Sequence, residues 1–384
     1  MAAVQIPFVF LLFFMVYGAV TVVAVIACIY LLLRKGNAFA IDVTPAVRLR
    51  RWVVAFFAVT FLSHVWWVVF YVSSFDLHSV GYMLVIVLDI ITLLPTAAGM
   101  LIYMLQDRRR PFWPVVAAMV PPVVLGAMQA ARPEGNYLMM ASIYSMVFYL
   151  GLTVFMVFSV RQYGRWLRDN YADLEHKEVW QTQLAVMVCL LMFILYWADG
   201  GDNMVISYLL QFTILVLYAV LLWRVETLQN LSLGHDLSLK GEESICAHGE
   251  TSADEPATPL SYRKRAGGEA LSNIGQLLAD HCVATHLYLQ HDLSLTQLVK
   301  AVGTNRFYLS QYFSSQGLTY NAYINGLRIN YFISRYHELT AEKQPFTAQQ
   351  LAFECGYRSY STFSLAFKQR MGKSVTAWMR DTAL

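Results

Sequence analysis

The sequence predicts an all-α protein in two regions: a seven-transmembrane-helix bundle, then a domain built on a double helix-turn-helix. Three observations predict it. Of the 384 residues, 57% are hydrophobic and only 14% are charged, where an ordinary soluble domain carries about 25% charge. The charges are uneven, sparse and clustered up to Trp223 and frequent from Arg224 on. In the polar part, one pattern of caps, apolar positions and glycines occurs twice. The boundaries that follow are 1–224 for the spans, 225–268 for a flexible polar linker and 269–384 for the second domain.

A helical span needs about 20 apolar residues. Seven stretches meet this, at 6–33, 52–72, 80–105, 112–130, 137–160, 185–198 extended a turn upstream, and 204–223. The fourth contains Pro114, Pro121 and Pro122, which neighbouring helices must accommodate. The loops after spans one, three and five hold twelve Lys and Arg residues, whereas the opposite side holds only Arg132. Positive loops stay inside. The expected topology is therefore a multi-pass protein of the bacterial inner membrane, N-terminus outside and C-terminal domain in the cytoplasm.

Ionisable residues are costly inside a bilayer and mark function or an interhelical clasp. His64 in span two and Asp89 in span three fall at matching depths of an antiparallel hairpin, about 12–14 Å in. They are the candidate membrane sensing pair, with a purely structural clasp as the competing reading. Trp66, Trp67, Tyr71 and Tyr82 read as an interfacial aromatic belt. The segment 199–203, Asp-Gly-Gly-Asp-Asn, reads as a tight outer turn. No span carries a lysine, which disfavours a retinal Schiff base, and no inverted repeat of broken helices marks a transporter.

The linker is polar and irregular, with the composition of a flexible tether. The five cysteines lack a CxxC pair and read as reduced structural thiols. Neither a Gly-rich phosphate loop, nor a metal-ligand histidine pair, nor a Ser-His-Asp arrangement is evident. The expectation is a protein that is not an enzyme and needs no cofactor or metal. Net charge is only +3, so bulk charge does not announce a nucleic-acid partner.

The repeated pattern is specific. Ser294 and Gln297 form one S-x-x-Q capping box, and Thr347 and Gln350 a second of the same kind. Leu295, Leu298, Val299 and Val302 follow the first, and Ala348, Leu351, Ala352 and Cys355 the second. Both sets are spaced i, i+3, i+4, i+7, one buried helix face. Each helix stops at a glycine, Gly303 or Gly356, suited to positive φ. A second helix follows, with buried positions Leu309, Tyr312 and Phe313 in one unit and Phe363, Ala366 and Phe367 in the other. Between the units runs a long helix over 319–336.

In such motifs the second helix enters the major groove. The candidate DNA-binding residues are Asn305, Arg306, Phe307, Ser310 and Gln311 in the first unit, and Arg358, Tyr360, Ser361, Ser364 and Lys368 in the second. Asn, Gln and Arg suit base edges, while Lys and Ser suit phosphates. Arg328 on the connecting helix joins them.

The stretches 294–298, 308–313, 323–329, 351–357 and 363–368 together resemble the DNA-binding domain of the AraC family of bacterial transcription regulators. The resemblance spans about 277–381 and departs at Val299, Ser314, Leu365 and Val375. It implies seven helices, two recognition helices in successive major grooves, and promoter binding near RNA polymerase. With the spans, the whole resembles a membrane-anchored AraC-type regulator, transducing an unknown small-molecule or membrane signal. Its expected partners are double-stranded promoter DNA, the lipid bilayer and RNA polymerase, with a homodimer supplying affinity. Two rivals stay open. One is a seven-helix receptor or transporter whose cytoplasmic domain acts by protein contacts; the other is an anchored regulator released by proteolysis.

Overall fold

Backbone polar groups in an apolar stretch must bond within their own segment, which makes long hydrophobic runs helical. A computed structural model describes residues 8–34, 36–38, 46–72, 80–108, 110–132, 134–199, 203–231 and 273–382. The side chains of Tyr71 and Tyr82, Arg109, turn residues 200–202, Cys246 and most of the linker lie outside what is described. By contacts the chain divides into two units, Met1–Tyr163 with His176–Ser232, and Gly164–Glu175 with Leu233–Leu384.

The first unit contains α1 (Phe8–Leu33), α2 (Val47–Val72), α3 (Val80–Met104), α4 (Trp113–Ala131), the first part of α5 (Tyr137–Asn170), α6 (Trp180–Ala198) and α7 (Met204–Thr227). Six of these, all but α6, are long and apolar enough to cross a membrane. The apolar stretch of α6, Trp180–Tyr196, is shorter. Pro95 in α3, and Pro121 and Pro122 in α4, lie inside continuous helix. α2 packs on α1, α3 and α7, α3 on α4, and α6 on α7. Helix α5 meets α4 where the Tyr144 hydroxyl donates to the Ala118 carbonyl at 3.1 Å. It continues ten residues past the expected end of its span at Val160.

The bundle reaches beyond Arg224, where the linker was expected to begin. Helix α7 runs to Thr227, and Val225, Glu226, Leu228 and Leu231 are buried. The reason is a polar network at this end. Glu226 accepts from the Ala38 amide and faces the Arg50 guanidinium at 3.7 Å. Arg50 also donates from Nε to the Leu31 carbonyl at 3.0 Å. Gln106 donates to the Gln229 carbonyl and accepts from the Leu231 amide, at 3.0 and 2.7 Å, fixing the chain after α7.

After Gly164–Glu175, the described part of the second unit resumes with helical residues 273–283, of which Ala279–Val283 are π-helical. Then come α8 (Leu295–Val302), α9 (Arg306–Ser315), α10 (Tyr320–Ala341), α11 (Ala348–Glu354), α12 (Tyr360–Met371) and α13 (Val375–Thr382). No strand occurs among the described residues. Helix α10 serves two cores: Tyr320 and Ile324 join Leu298, Leu309 and Phe313 in one, and Ile329 and Phe332 join Leu351, Phe363 and Phe367 in the other.

Candidate nucleic-acid interface

Each helix-turn-helix is fixed by its caps. Ser294 and Thr347 make full capping boxes with Gln297 and Gln350. Gly303 ends α8 at φ +69° and Gly356 follows α11 at φ +88°. At Gly356 a Cβ would stand 2.4 Å from the Leu289 carbonyl oxygen, so only glycine fits there.

On α9, Phe307, Ser310, Gln311 and Ser314 are exposed at i, i+3, i+4, i+7. Their counterparts on α12, 54 positions later, are Ser361, Ser364, Leu365 and Lys368. Of these Ser364 is half-buried and the rest exposed. Phe307 and Leu365 are notably open for large apolar side chains, at 69% and 61%. Two helices thus present equivalent outward stripes of hydroxyl, amide, apolar and ammonium groups. Ser314 and Leu365 belong to these stripes although their residue types alone do not point to DNA contact; the 54-residue offset that sets the buried faces also carries this outward pair.

Other candidates are committed within the domain. Asn305 is the N-cap of α9, and its side-chain oxygen accepts from the Tyr308 amide at 3.0 Å. It holds the helix start, half a turn before the stripe, with the residue still exposed. Tyr360 packs on the second core beside Phe363. Arg358 is paired with Asp292. Arg306 donates to the Asn170 side-chain oxygen.

Arg328 is a correction. It is fully buried, with Nε donating to the Tyr288 carbonyl and an Nη to the Gln290 carbonyl, both at 2.7 Å. Its guanidinium lies 5.3 Å from the Tyr357 ring centroid. Burial pulls its pKa below the usual arginine value, opposed by Tyr357 and Asp173. It joins the segment after the π-turn to the turn of the second helix-turn-helix and, being fully buried, is out of a duplex's reach. A charged residue on a helix reads as surface in sequence; its hydrogen-bond partners lie 40 and 38 residues earlier and the Tyr357 ring later in the chain, so local spacing could not find them.

Cys282 and Cys355 are free, buried thiols, pushed up to about 11 and about 12 chiefly by burial. In the first unit, Asp89 accepts from Ser63 Oγ at 2.7 Å and from the indole nitrogens of Trp66 and Trp67 at 3.0 and 2.7 Å. The two tryptophans expected to form a membrane-interface belt therefore grip a carboxylate between α2 and α3. His64 makes a 2.8 Å hydrogen bond to the Thr60 carbonyl, and its ring lies 4.4 Å from that of Tyr17. His64 thus faces Tyr17 of α1, while Asp89 bonds Ser63, Trp66 and Trp67, and no hydrogen bond links the two among the described residues.

A family model described as a helix-turn-helix domain matches residues 298–381. That match supports an AraC-type DNA-binding domain over this segment, with DNA as its partner. No curated protein and no solved structure is significantly similar to the chain.

Proposed function

We propose that the chain is a membrane-bound one-component transcription regulator. The outward stripes of α9 and α12 enter successive major grooves of promoter DNA, about 34 Å apart on one face of the duplex. Gln311 reads a base edge, Phe307 and Leu365 meet thymine methyl groups, and Lys368 holds a phosphate. The helical bundle lies in the inner membrane with the second unit in the cytoplasm. The observation that carries this reading is the pair of equivalent outward stripes on α9 and α12, the second helices of two capped helix-turn-helix units, both helices falling within the matched segment 298–381.

The Asp89 clasp, with His64 beside it, is where we place signal reception. The supporting observation is a carboxylate held by three side chains of the neighbouring helix. Asp89→Asn is expected to accumulate normally and to alter signalling; normal expression with unchanged signalling would confine the clasp to a structural role.

The DNA reading is tested with the intact protein in lipid nanodiscs, by titrating duplex DNA from its own upstream region at low salt. Binding is expected to fall in Gln311→Ala and Lys368→Ala while melting temperature holds. Binding indifferent to both variants would contradict it.

A further inference from the structure

The unit that holds the helix-turn-helix pair also holds Gly164–Glu175, the end of α5 and the loop after it. This short piece touches the start of both second helices. At α9, the Asn170 side-chain oxygen accepts from Arg306. At α12, one carboxylate oxygen of Glu175 accepts from the Ser359 and Thr362 hydroxyls, at 2.6 and 2.8 Å. Ser359 is the N-cap of α12, so the carboxylate sits in its first turn. Between these contacts, Asn321 of α10 donates to the Tyr171 and Ala172 carbonyls at 3.2 and 2.6 Å. The Ala172 amide donates to the Leu293 carbonyl at 3.2 Å, and its side chain is buried in the first core.

Three of the seven residues 169–175 are acidic: Asp169, Asp173 and Glu175. A helix N-terminus flanked by hydroxyls is where a phosphate would bind. The N-terminal residues of the second helix are also those that approach the bases. An acidic segment, seated through the Asn170 amide at α9 and the Glu175 carboxylate at α12, lies where a sugar-phosphate backbone would approach both starts. The outward stripes remain exposed beside it, so the readers are built and their entry points are taken.

We propose that residues 169–175 are an internal competitor for DNA, which must leave the two helix starts before a duplex can seat. The proposal rests on the DNA-binding reading above. It deepens that reading by naming the regulation: the competitor is the direct chain continuation of α5, so a signal that displaces the end of α5 withdraws it. Glu175 is the anion at α12, Asn170 the acceptor at α9, and Ala172 the anchor that seats the segment.

The test uses the intact protein in lipid nanodiscs with random-sequence duplex DNA at low salt, since the contacts at stake are to phosphate. Glu175→Ala is expected to bind about tenfold more tightly than the parent, the effect of freeing two hydroxyls from a charged partner. Glu342→Ala, which removes an exposed carboxylate elsewhere in the unit, is the control for net charge and is expected to change little. Amide hydrogen exchange of the unaltered protein provides an independent readout: protection across 170–175 is expected to fall when DNA is added. Duplex binding with equal affinity in Glu175→Ala and undiminished protection would make the loop a fixed brace, overturning the competitor while leaving the DNA reading intact. Absence of duplex binding in parent and variant alike would overturn both.

Discussion

Arg328 is a fully buried charged residue in the second unit. A buried guanidinium is tolerable only when its hydrogens are met, and two backbone carbonyls and the Tyr357 ring face do much of this. Truncation leaves those carbonyls without a donor as well as opening a cavity. Arg328→Ala is expected to cost the second unit about 3 kcal/mol, read from its thermal unfolding. A residue that only touched DNA would leave the unfolding temperature unchanged. The cysteines make a second expectation at this scale. With their thiols buried and protonated, Cys282 and Cys355 should resist iodoacetamide at neutral pH in the folded protein and react once it is unfolded. Rapid labelling of either in the native state would contradict their placement.

At the scale of elements, α9 and α12 are copies that differ where charge matters. Lys368 near the end of the α12 stripe has Ser314 as its counterpart on α9. One phosphate contact changes the salt dependence of binding by about one unit of slope. Lys368→Ala should therefore weaken binding evenly across sequences and flatten the plot of log affinity against log salt by about one. Ser314→Lys should do the reverse. An unchanged slope in both would remove these stripes from the DNA contact. Much of this was legible in the sequence, because capping boxes, i, i+3, i+4, i+7 faces and positive-φ glycines are short-range signals. Ser294, Thr347, Gly303 and Gly356 play the parts their spacing assigns. Asn305 also caps its helix, a second role that residue type and position one residue before a helix do not separate from groove contact. Trp66 and Trp67 suited a membrane interface by residue type, and only the register of α2 on α3 turns both indoles to Asp89.

For the whole molecule, the least legible features are those made by residues far apart in the chain. Glu226 looked like the start of a linker, yet its partners Ala38 and Arg50 lie near the other end of the bundle sequence. Residues 170–175 look in sequence like part of a basic loop, and their contacts to Arg306, Asn321 and Ser359 span 130 residues or more. The membrane reading has its own expectation. Reporter fusions after Leu231 should be active in the cytoplasm, and fusions in the loop after α4 should be active outside; the opposite pattern would put the second unit beyond the reach of DNA. The central claim is that a protein held in the membrane reads DNA with α9 and α12. Its most direct test is genome-wide mapping of sites crosslinked to the intact protein, in parent and Gln311→Ala/Lys368→Ala cells with equal amounts in the membrane fraction. We expect discrete sites that disappear in the double variant; no discrete sites, or sites that persist unchanged, would contradict the claim.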